Sequence, residues 1–233
     1  MNPGSSPKGT FVIVHGAWTG AWSWERVTSR LHARGHRAYA PTLTGNCERS
    51  HLASPAVNLE THIDDIVNEI LWKDLTEVVL VAHSYGGFVA AGVTEQIPDR
   101  ISSIVFLEAF IPEDGTSFAD LVPGWHPTEP MVAAPQSSPG DYLSEEDRVW
   151  VDSKATAQCV ATFTQKLKVT GAYQRVAKKT FIVATGPGGI SGETARRFRD
   201  DPGWLVREIP CGHDAPIDLP EELTDMLEGS IPR

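Results

Sequence analysis

Cysteine is scarce in this chain. Cys47, Cys159 and Cys211 are the only three, they show no C-x-x-C spacing, and an odd number cannot all pair. A disulfide framework and a thiolate metal site are therefore not expected. Positive charge is the next shortage. Twenty Lys and Arg face thirty Asp and Glu, for a formal net charge of −10, and no run of basic residues stands out. A polyanion would be repelled on average, so nucleic acid is excluded as a partner, and the acidity serves solubility. No apolar run reaches the length of a membrane span. The opening MNPGSSPKGT has neither the basic start nor the apolar core of a signal peptide. These absences predict a cytosolic protein with no membrane partner. There is no clustered His/Asp/Glu ligand set, no phosphate-binding glycine loop, no internal repeat and no low-complexity tract. Neither a metal nor an organic cofactor is expected.

What is present is apolar and periodic. The 233 residues are 41% hydrophobic, enough to bury the core of one α/β domain. Four β-branched runs recur: FVIV (11–14), VVLVA (78–82), ISSIVFL (101–107) and TFIVA (180–184). Such continuous apolar runs are the mark of strands buried on both faces, hence parallel. Helical patterns lie between them. Over 58–72, Leu59, Ile63, Ile66, Val67 and Ile70 form one stripe, opposite Asp64, Asp65 and Glu69. A second helix is predicted from Gly86 to Gln96. A last one is predicted to start at Asp218 as N-cap, with Pro220 in its first turn and Glu221 at the capping-box position. This alternation predicts a doubly wound, mostly parallel α/β sheet.

One segment breaks the rhythm. Between Ile111 and Val176 six prolines (112, 123, 127, 130, 135 and 139) precede a helical pattern through SEEDRVWVDSKATAQCVATF. It is too long for an ordinary connection. The expected organisation is a core of 1–110 and 177–233 with a small, mainly helical cap, 111–176, inserted over one end of the sheet. Its Phe118, Trp125, Tyr142, Trp150 and Phe163 either line a pocket or fasten the cap to the core.

Chemistry enters at VVLVAHSYGGFVAAG (78–92), where Ser84 ends a strand run and precedes a helix. That is the setting of a nucleophile elbow, whose tight turn needs small residues two before and two after the serine. Ala82 and Gly86 satisfy it, and Gly87 adds room. Outside this setting a helix-capping serine would be the better reading. An acyl-transfer site also needs donors for a developing oxyanion. The backbone N–H of Tyr85, at a helix start, is one candidate. The N–H of Ala17, in the loop VHGAW (14–18), is the other, with His15 bracing that loop by hydrogen bonding. Of eight histidines, only His213, in GHDAPIDLPEEL after the run 204–209, stands where a base beyond the last strand should. His32, His36 and His62 lie in helical or surface contexts, and His83 is expected to point away within the elbow. Expected substrate contacts are Trp18, Trp125, His126 and Trp150, with His51 another loop histidine near the pocket.

The motifs VHGAWTGAWSWERV, VAHSYGG, FLEAFIPEDG and GHDAPIDLPEEL, in this order, resemble the α/β-hydrolase superfamily over nearly the whole chain. The likeness is greatest to the branch of plant methyl esterases, hydroxynitrile lyases and their small bacterial relatives. That resemblance implies a triad acid after the strand that follows the cap. Here that stretch reads FIVATGPGGISG (181–192), with Pro187 or a nearby glycine where the aspartate would stand. Glu193 is the nearest carboxylate and is expected to open a helix facing away. One strand earlier, ISSIVFLEAF ends on Glu108, a carboxylate in an apolar strand end, where an unpartnered charge would be costly. The mycoestrogen lactonases, which this chain also resembles, use a glutamate in that position. The expected triad is Ser84, His213 and Glu108, with Asp114 and Asp214 as weaker acids and an ordinary ion pair as the competing role for Glu108.

The function so implied is cofactor-independent hydrolysis of a small, apolar, uncharged ester or lactone through an acyl-enzyme. A homodimer is compatible with it. A lyase or natural-product cyclase using the same pocket, and a ligand-binding sensor, are the competing readings. Two residues stand against cyanohydrin cleavage, though not against a cyclase or retro-aldol enzyme. The hydroxynitrile lyases carry threonine where this chain has Gly16, and lysine where it has Asp214.

Overall fold

The structure is a computed structural model and describes residues 9–122 and 124–232. The first eight residues, to which most of the signal-peptide reading refers, and Pro123 lie outside that range. The strands form as the apolar runs dictate. β1 (Thr10–Val14) is followed by α1 (Glu25–Ala33), β2 (Arg37–Tyr39), α2 (Leu59–Trp72), β3 (Val78–His83), α3 (Gly86–Gln96) and β4 (Ile101–Leu107). After a long excursion come β7 (Lys178–Ala184), α6 (Gly192–Arg199), β8 (Leu205–Ile209), α7 (Ala215–Asp218) and α8 (Pro220–Glu228). Among the described residues these strands make one six-stranded sheet, order β2-β1-β3-β4-β7-β8, with every pairing parallel.

Period-two alternation then sorts each strand's side chains. Val12, Val14, Leu80, Ile104, Phe106 and Phe181 face α2 and α3, while Phe11, Ile13, Val79, Val81, Val105 and Ile182 face α1 and α8. Burial on both faces is why the runs are continuous rather than alternating. α2 starts where Asn58 accepts from the Thr61 N–H (3.0 Å), with Thr61 Oγ1 accepting in return from the Asn58 N–H. Among the described residues no helix is long and apolar enough to cross a membrane.

Two sequence expectations fail here. Asp218 does not cap the last helix. It closes α7, its Oδ1 accepts from the Leu143 N–H (3.0 Å), and Leu219 stands before α8. The pattern SEEDRVWVDSKATAQCVATF is not one continuous helix either. Between β4 and β7 the chain forms β5 (Met131–Val132), α4 (Glu145–Lys154), β6 (Gln158–Cys159) and the short α5 (Val160–Thr164). The helix stops at Lys154 because tertiary partners claim the next residues. The Thr156 N–H donates to the Trp18 carbonyl (3.0 Å), its Oγ1 accepts from the Cys47 N–H (2.8 Å), and residues 158–159 pair antiparallel with β5. β2, only three residues long at the sheet edge, was not foreseen from the sequence.

Candidate active site

The loops after β1, β3, β4, β7 and β8 converge at the carboxyl ends of the parallel strands, where open α/β sheets bind ligands. Ser84 follows β3 directly with φ of +54°, left-handed for a residue with a side chain. Strand pairing continues past it. Its N–H donates to the Leu107 carbonyl (3.2 Å), and its own carbonyl accepts from the Phe110 N–H (3.1 Å). The glycines after it are forced by close approach. A Cβ on Gly86 would sit 2.7 Å from the Val14 carbonyl oxygen, and one on Gly87 2.0 Å from that of Phe110. So the elbow is fixed by its neighbours, with Ser84 at its apex on the wall of a cavity of about 350 Å³.

Glu108 is placed beside it by the same ladder, one strand over, with its N–H donating to the Ile182 carbonyl (2.9 Å). It too is left-handed, φ +44°, and fully buried. Strain of this kind persists where the surroundings over-determine it. Oε1 accepts from the Ala184 N–H (2.8 Å) and the Ser191 hydroxyl, and Oε2 from the Ile190 N–H (2.6 Å). The stretch that carries the acid in the resembling branch thus supplies donors to a carboxylate from the adjacent strand. Pro187 is exposed, and Glu193, in the first turn of α6, is exposed as well. Burial pushes the Glu108 carboxyl up. His213, Ser191, Ile190 and Ala184 outweigh it and hold the pKa at about 2.

His213 Nδ1 lies 3.5 Å from Glu108 Oε2, in ion-pair range but without hydrogen-bond alignment. With Nδ1 turned to the acid, Nε2 faces away from it, and the ring shares the cavity wall with Ser84. Burial lowers the His213 pKa, and Glu108 and Asp214 more than offset it, so the net shift is upward. His83 does not point away from the site. Its ring lies 4.6 Å from that of His213 and its Nε2–H donates to the His213 carbonyl (3.0 Å). Burial, with His213 second, lowers its pKa to about 4, so it stays neutral beside His213.

In the first loop, His15 Nδ1–H donates to the Gly16 carbonyl (2.8 Å), His15 Nε2 accepts from the Leu43 N–H (3.0 Å), and the Thr19 hydroxyl adds a second bond to Gly16 (3.2 Å). A trans peptide points its C=O and N–H in opposite directions. Holding the Gly16 carbonyl therefore aims the Ala17 N–H, and Ala17 lines the cavity. Tyr85 offers only its backbone here, since its ring is buried and its hydroxyl meets His62 Nδ1 (3.0 Å).

Trp18 lines the cavity, and the other three expected substrate contacts do not. Trp125 packs on Phe118 and Phe163, at ring distances of 5.8 and 5.2 Å, so those aromatics fasten the insertion to the core. Trp150 stacks edge-on against Trp22 (5.0 Å) under Arg26, and His126 is exposed. His51 is exposed as well. Tyr142 does reach the cavity, where its hydroxyl donates to Asp214 Oδ2 (2.5 Å). Asp114 is turned to the Val169 N–H (3.0 Å), away from His213. Among the described residues no cluster of three His, Cys, Asp or Glu could hold a metal ion.

The sequence profile of the alpha/beta hydrolase family matches residues 11–226. The chain belongs to that family. This hydrolase is 36% identical to the carbendazim hydrolyzing esterase of Nocardioides sp. (strain SG-4G), over 93% of its own length and 97% of the relative's. It is 40% identical to Methylesterase 1 of Arabidopsis thaliana over a shorter stretch, 44% of this chain and 40% of that protein. These relatives place it among the carboxylic ester hydrolases of the family. Its fold is shared with an extracellular α/β-hydrolase from a Paenibacillus species, at TM-score 0.81 and 24% identity over 97% and 100% of the two chains. It is also shared with tomato methylketone synthase I, at TM-score 0.75 and 21% identity over 95% and 96%.

The shifted groups give a signed pH dependence. The Glu108 pKa falls from an ordinary 4.5 to about 2, so its contribution to stability is present above 4.5 and is lost as pH falls toward 2. His213 is raised, so its contribution is present below 6.5 and is lost as pH rises through the folded pKa. Urea midpoints measured against pH should show the gap between the wild type and Glu108→Gln closing as pH falls from 4.5 to 2. A constant gap would mean that Glu108 is not held ionised.

Proposed function

We propose that this hydrolase cleaves a small, uncharged ester or lactone through a Ser84–His213–Glu108 triad and an acyl-enzyme. The observation that carries the reading is one arrangement: Ser84 and His213 share a cavity wall, and the other side of the His213 ring faces the buried, ionised Glu108. Ser84 Oγ attacks the carbonyl while His213 Nε2 takes its proton and later gives it to the leaving alcohol. Glu108 sets the Nδ1–H tautomer and balances the imidazolium. The N–H groups of Ala17 and Tyr85 receive the oxyanion. Neutral His83 holds the His213 loop without adding a like charge beside the imidazolium. Water then releases the acyl group by the same steps.

The cavity supports an uncharged substrate. Trp18, Val151, Ile190, Ala134 and Pro135 give it apolar walls; Asp141, Asp152 and Asp214 are its carboxylates, and no Lys or Arg lines it among the described residues. An anionic substrate would meet repulsion there. The name of the bacterial relative makes carbendazim, an uncharged ester of a carbamic acid, the first compound to test. The three cysteines, all unpaired and buried, support a cytosolic location within this proposal. Gly16 counts against cyanohydrin cleavage, because a Cβ there already meets His83 Nδ1 at 3.1 Å and Ser84 Cβ at 3.3 Å. A threonine would crowd His83 and the nucleophile.

Carbendazim, p-nitrophenyl acetate, a neutral methyl ester and an aryl lactone should be offered in turn, with products read by mass spectrometry. Addition of one water with release of the alcohol, or opening of the lactone, is expected, and activity should survive chelation and dialysis. Conversion without water uptake would replace hydrolysis with the lyase or cyclase reading. Tight binding without turnover would replace it with the sensor.

A further inference from the structure

Trp18 is the least comfortable residue of the first loop. Its φ is +62°, in a region that a bulky side chain seldom enters. Conformations of this kind last only where contacts enforce them. Most of the enforcing contacts come from one distant piece of chain, with the Cys47 thiol adding a long bond to the Trp18 carbonyl (3.5 Å). The Trp18 N–H donates to Gln158 Oε1 (2.8 Å), its carbonyl accepts from the Thr156 N–H (3.0 Å), and its indole Nε1–H donates to the Val132 carbonyl (3.1 Å). Val132 and Gln158 are themselves paired partners in the antiparallel β5–β6 ladder. Every polar group of Trp18 is thus held by the segment inserted between β4 and β7, more than a hundred residues away.

Gln158 is the centre of this anchorage. It is fully buried, although it carries an amide that needs partners on both ends. Both ends are satisfied. Oε1 takes the Trp18 N–H and the Asn46 Nδ2–H (3.0 Å), and Nε2 donates to Thr162 Oγ1 (2.9 Å). Thr162 in turn donates to the Cys159 carbonyl (2.7 Å), which leaves its oxygen free to accept and fixes which end of the Gln158 amide is oxygen. A buried glutamine this fully specified, and outside the cavity lining, does not contact substrate.

It does contact the residue next to Ala17. The peptide before Ala17 is oriented by His15 and Thr19 through the Gly16 carbonyl, and the peptide after it by Gln158 through the Trp18 N–H. Ala17 is clamped on both flanks. We infer that Gln158 is a positioning residue for the oxyanion donor at Ala17, coupling the seating of the inserted segment to transition-state stabilisation. The inference rests on the acyl-enzyme reading above. If β5–β6 lifts from the core, Val132, Thr156 and Gln158 leave together. Trp18 then relaxes toward ordinary φ, and the Ala17 amide loses its aim. The donor is formed only under a seated cap.

Gln158→Met keeps the length and volume and removes the strong acceptor. A donor displaced by about 1 Å costs on the order of 100-fold, so kcat on p-nitrophenyl acetate should fall between about 10- and 100-fold, with KM within about twofold. Gln158→Glu keeps an oxygen for the Trp18 N–H and should recover most of the loss. The decisive readout is p-nitrophenyl thionoacetate, in which sulfur replaces the oxygen that the Ala17 N–H would bind. The wild type should prefer the oxo ester, and in Gln158→Met that preference should shrink toward the ratio for uncatalysed hydrolysis. Melting temperature reports whether each variant folds. Should Gln158→Met not fold, Thr162→Val, which removes the hydroxyl that accepts from the Gln158 amide nitrogen and donates to the Cys159 carbonyl, is expected to show a smaller loss with the same shrinking ratio. An unchanged ratio in a folded variant, or a loss carried by KM alone, overturns the positioning role. Absence of any oxo-over-thiono preference in the wild type overturns the acyl-enzyme reading itself.

Discussion

Ser84→Ala is expected to lower kcat by about 10⁴- to 10⁶-fold while leaving the protein folded. The geometry makes this a clean test. The bonds that hold the elbow, from the Ser84 N–H to Leu107 and from the Phe110 N–H to the Ser84 carbonyl, are backbone bonds. Alanine keeps the Cβ and so bears the same left-handed φ as serine. Only the attacking oxygen is removed. The residual rate should reflect what the amide donors and binding give without a nucleophile, and that remainder is not zero. Initial rates and a melting curve on the same preparation decide the matter. A folded Ser84→Ala enzyme of near-normal activity would end the acyl-enzyme mechanism and favour chemistry that needs only the base and the donors.

Glu108→Gln should lower kcat by about 10³- to 10⁴-fold and, unlike Ser84→Ala, should also destabilise the fold. The carboxylate faces donors on both oxygens: Ala184 N–H and Ser191 Oγ–H on Oε1, Ile190 N–H and the His213 ring on Oε2. An amide has one acceptor end. Whichever way it is turned, its NH2 group confronts a backbone N–H. Each buried donor so orphaned costs about 1–3 kcal/mol. The kinetic loss has a separate cause, since without the negative charge the imidazolium is no longer balanced and the tautomer is no longer dictated. Glu193→Gln, on the exposed start of α6, should change neither quantity. An active Glu108→Gln enzyme would release His213 from this partner. Asp214 would be the next acid to examine, because Asp114 is committed elsewhere.

The parts of this molecule that were legible in the sequence are those written in local pattern. Apolar runs gave β1, β3, β4 and β7, because strands buried on both faces leave no room for polar alternation. The small residues around Ser84 marked the elbow, because the turn is too tight for others. Glu108 stood out because a charge at an apolar strand end needs a reason. The unreadable parts depend on contacts between distant residues. Ser191 and Gln158 are neutral, ordinary residues whose importance comes from Glu108, 83 positions away, and Trp18, 140 positions away. The aromatics of the insertion misled for a related reason. Trp125 and Tyr142 carry the same apolar signal, yet one fastens the segment to the core and the other faces the cavity. The helix expected through residues 155–159 yielded to partners on Trp18 and Cys47 that no local propensity records.

The stretch 184–191 carries no ionisable side chain, yet the N–H groups of Ala184 and Ile190 and the hydroxyl of Ser191 hold the Glu108 carboxylate. In evolutionary terms its side chains and its path are under different constraints. Thr185 and Pro187 are exposed and can change without touching the donated bonds, whereas a Cβ on Gly186 would sit 2.7 Å from the Cys211 carbonyl oxygen, one on Gly189 2.8 Å from that of Ala184, and Gly188 is left-handed at φ +81°. A single inserted or deleted residue would shift Ile190 and Ser191 out of register with Glu108 and withdraw two of its three donors from this stretch at once. Among descendants of this enzyme the segment should therefore keep its length and its three glycines while Thr185 and Pro187 vary, a tighter constraint than surface loops usually bear.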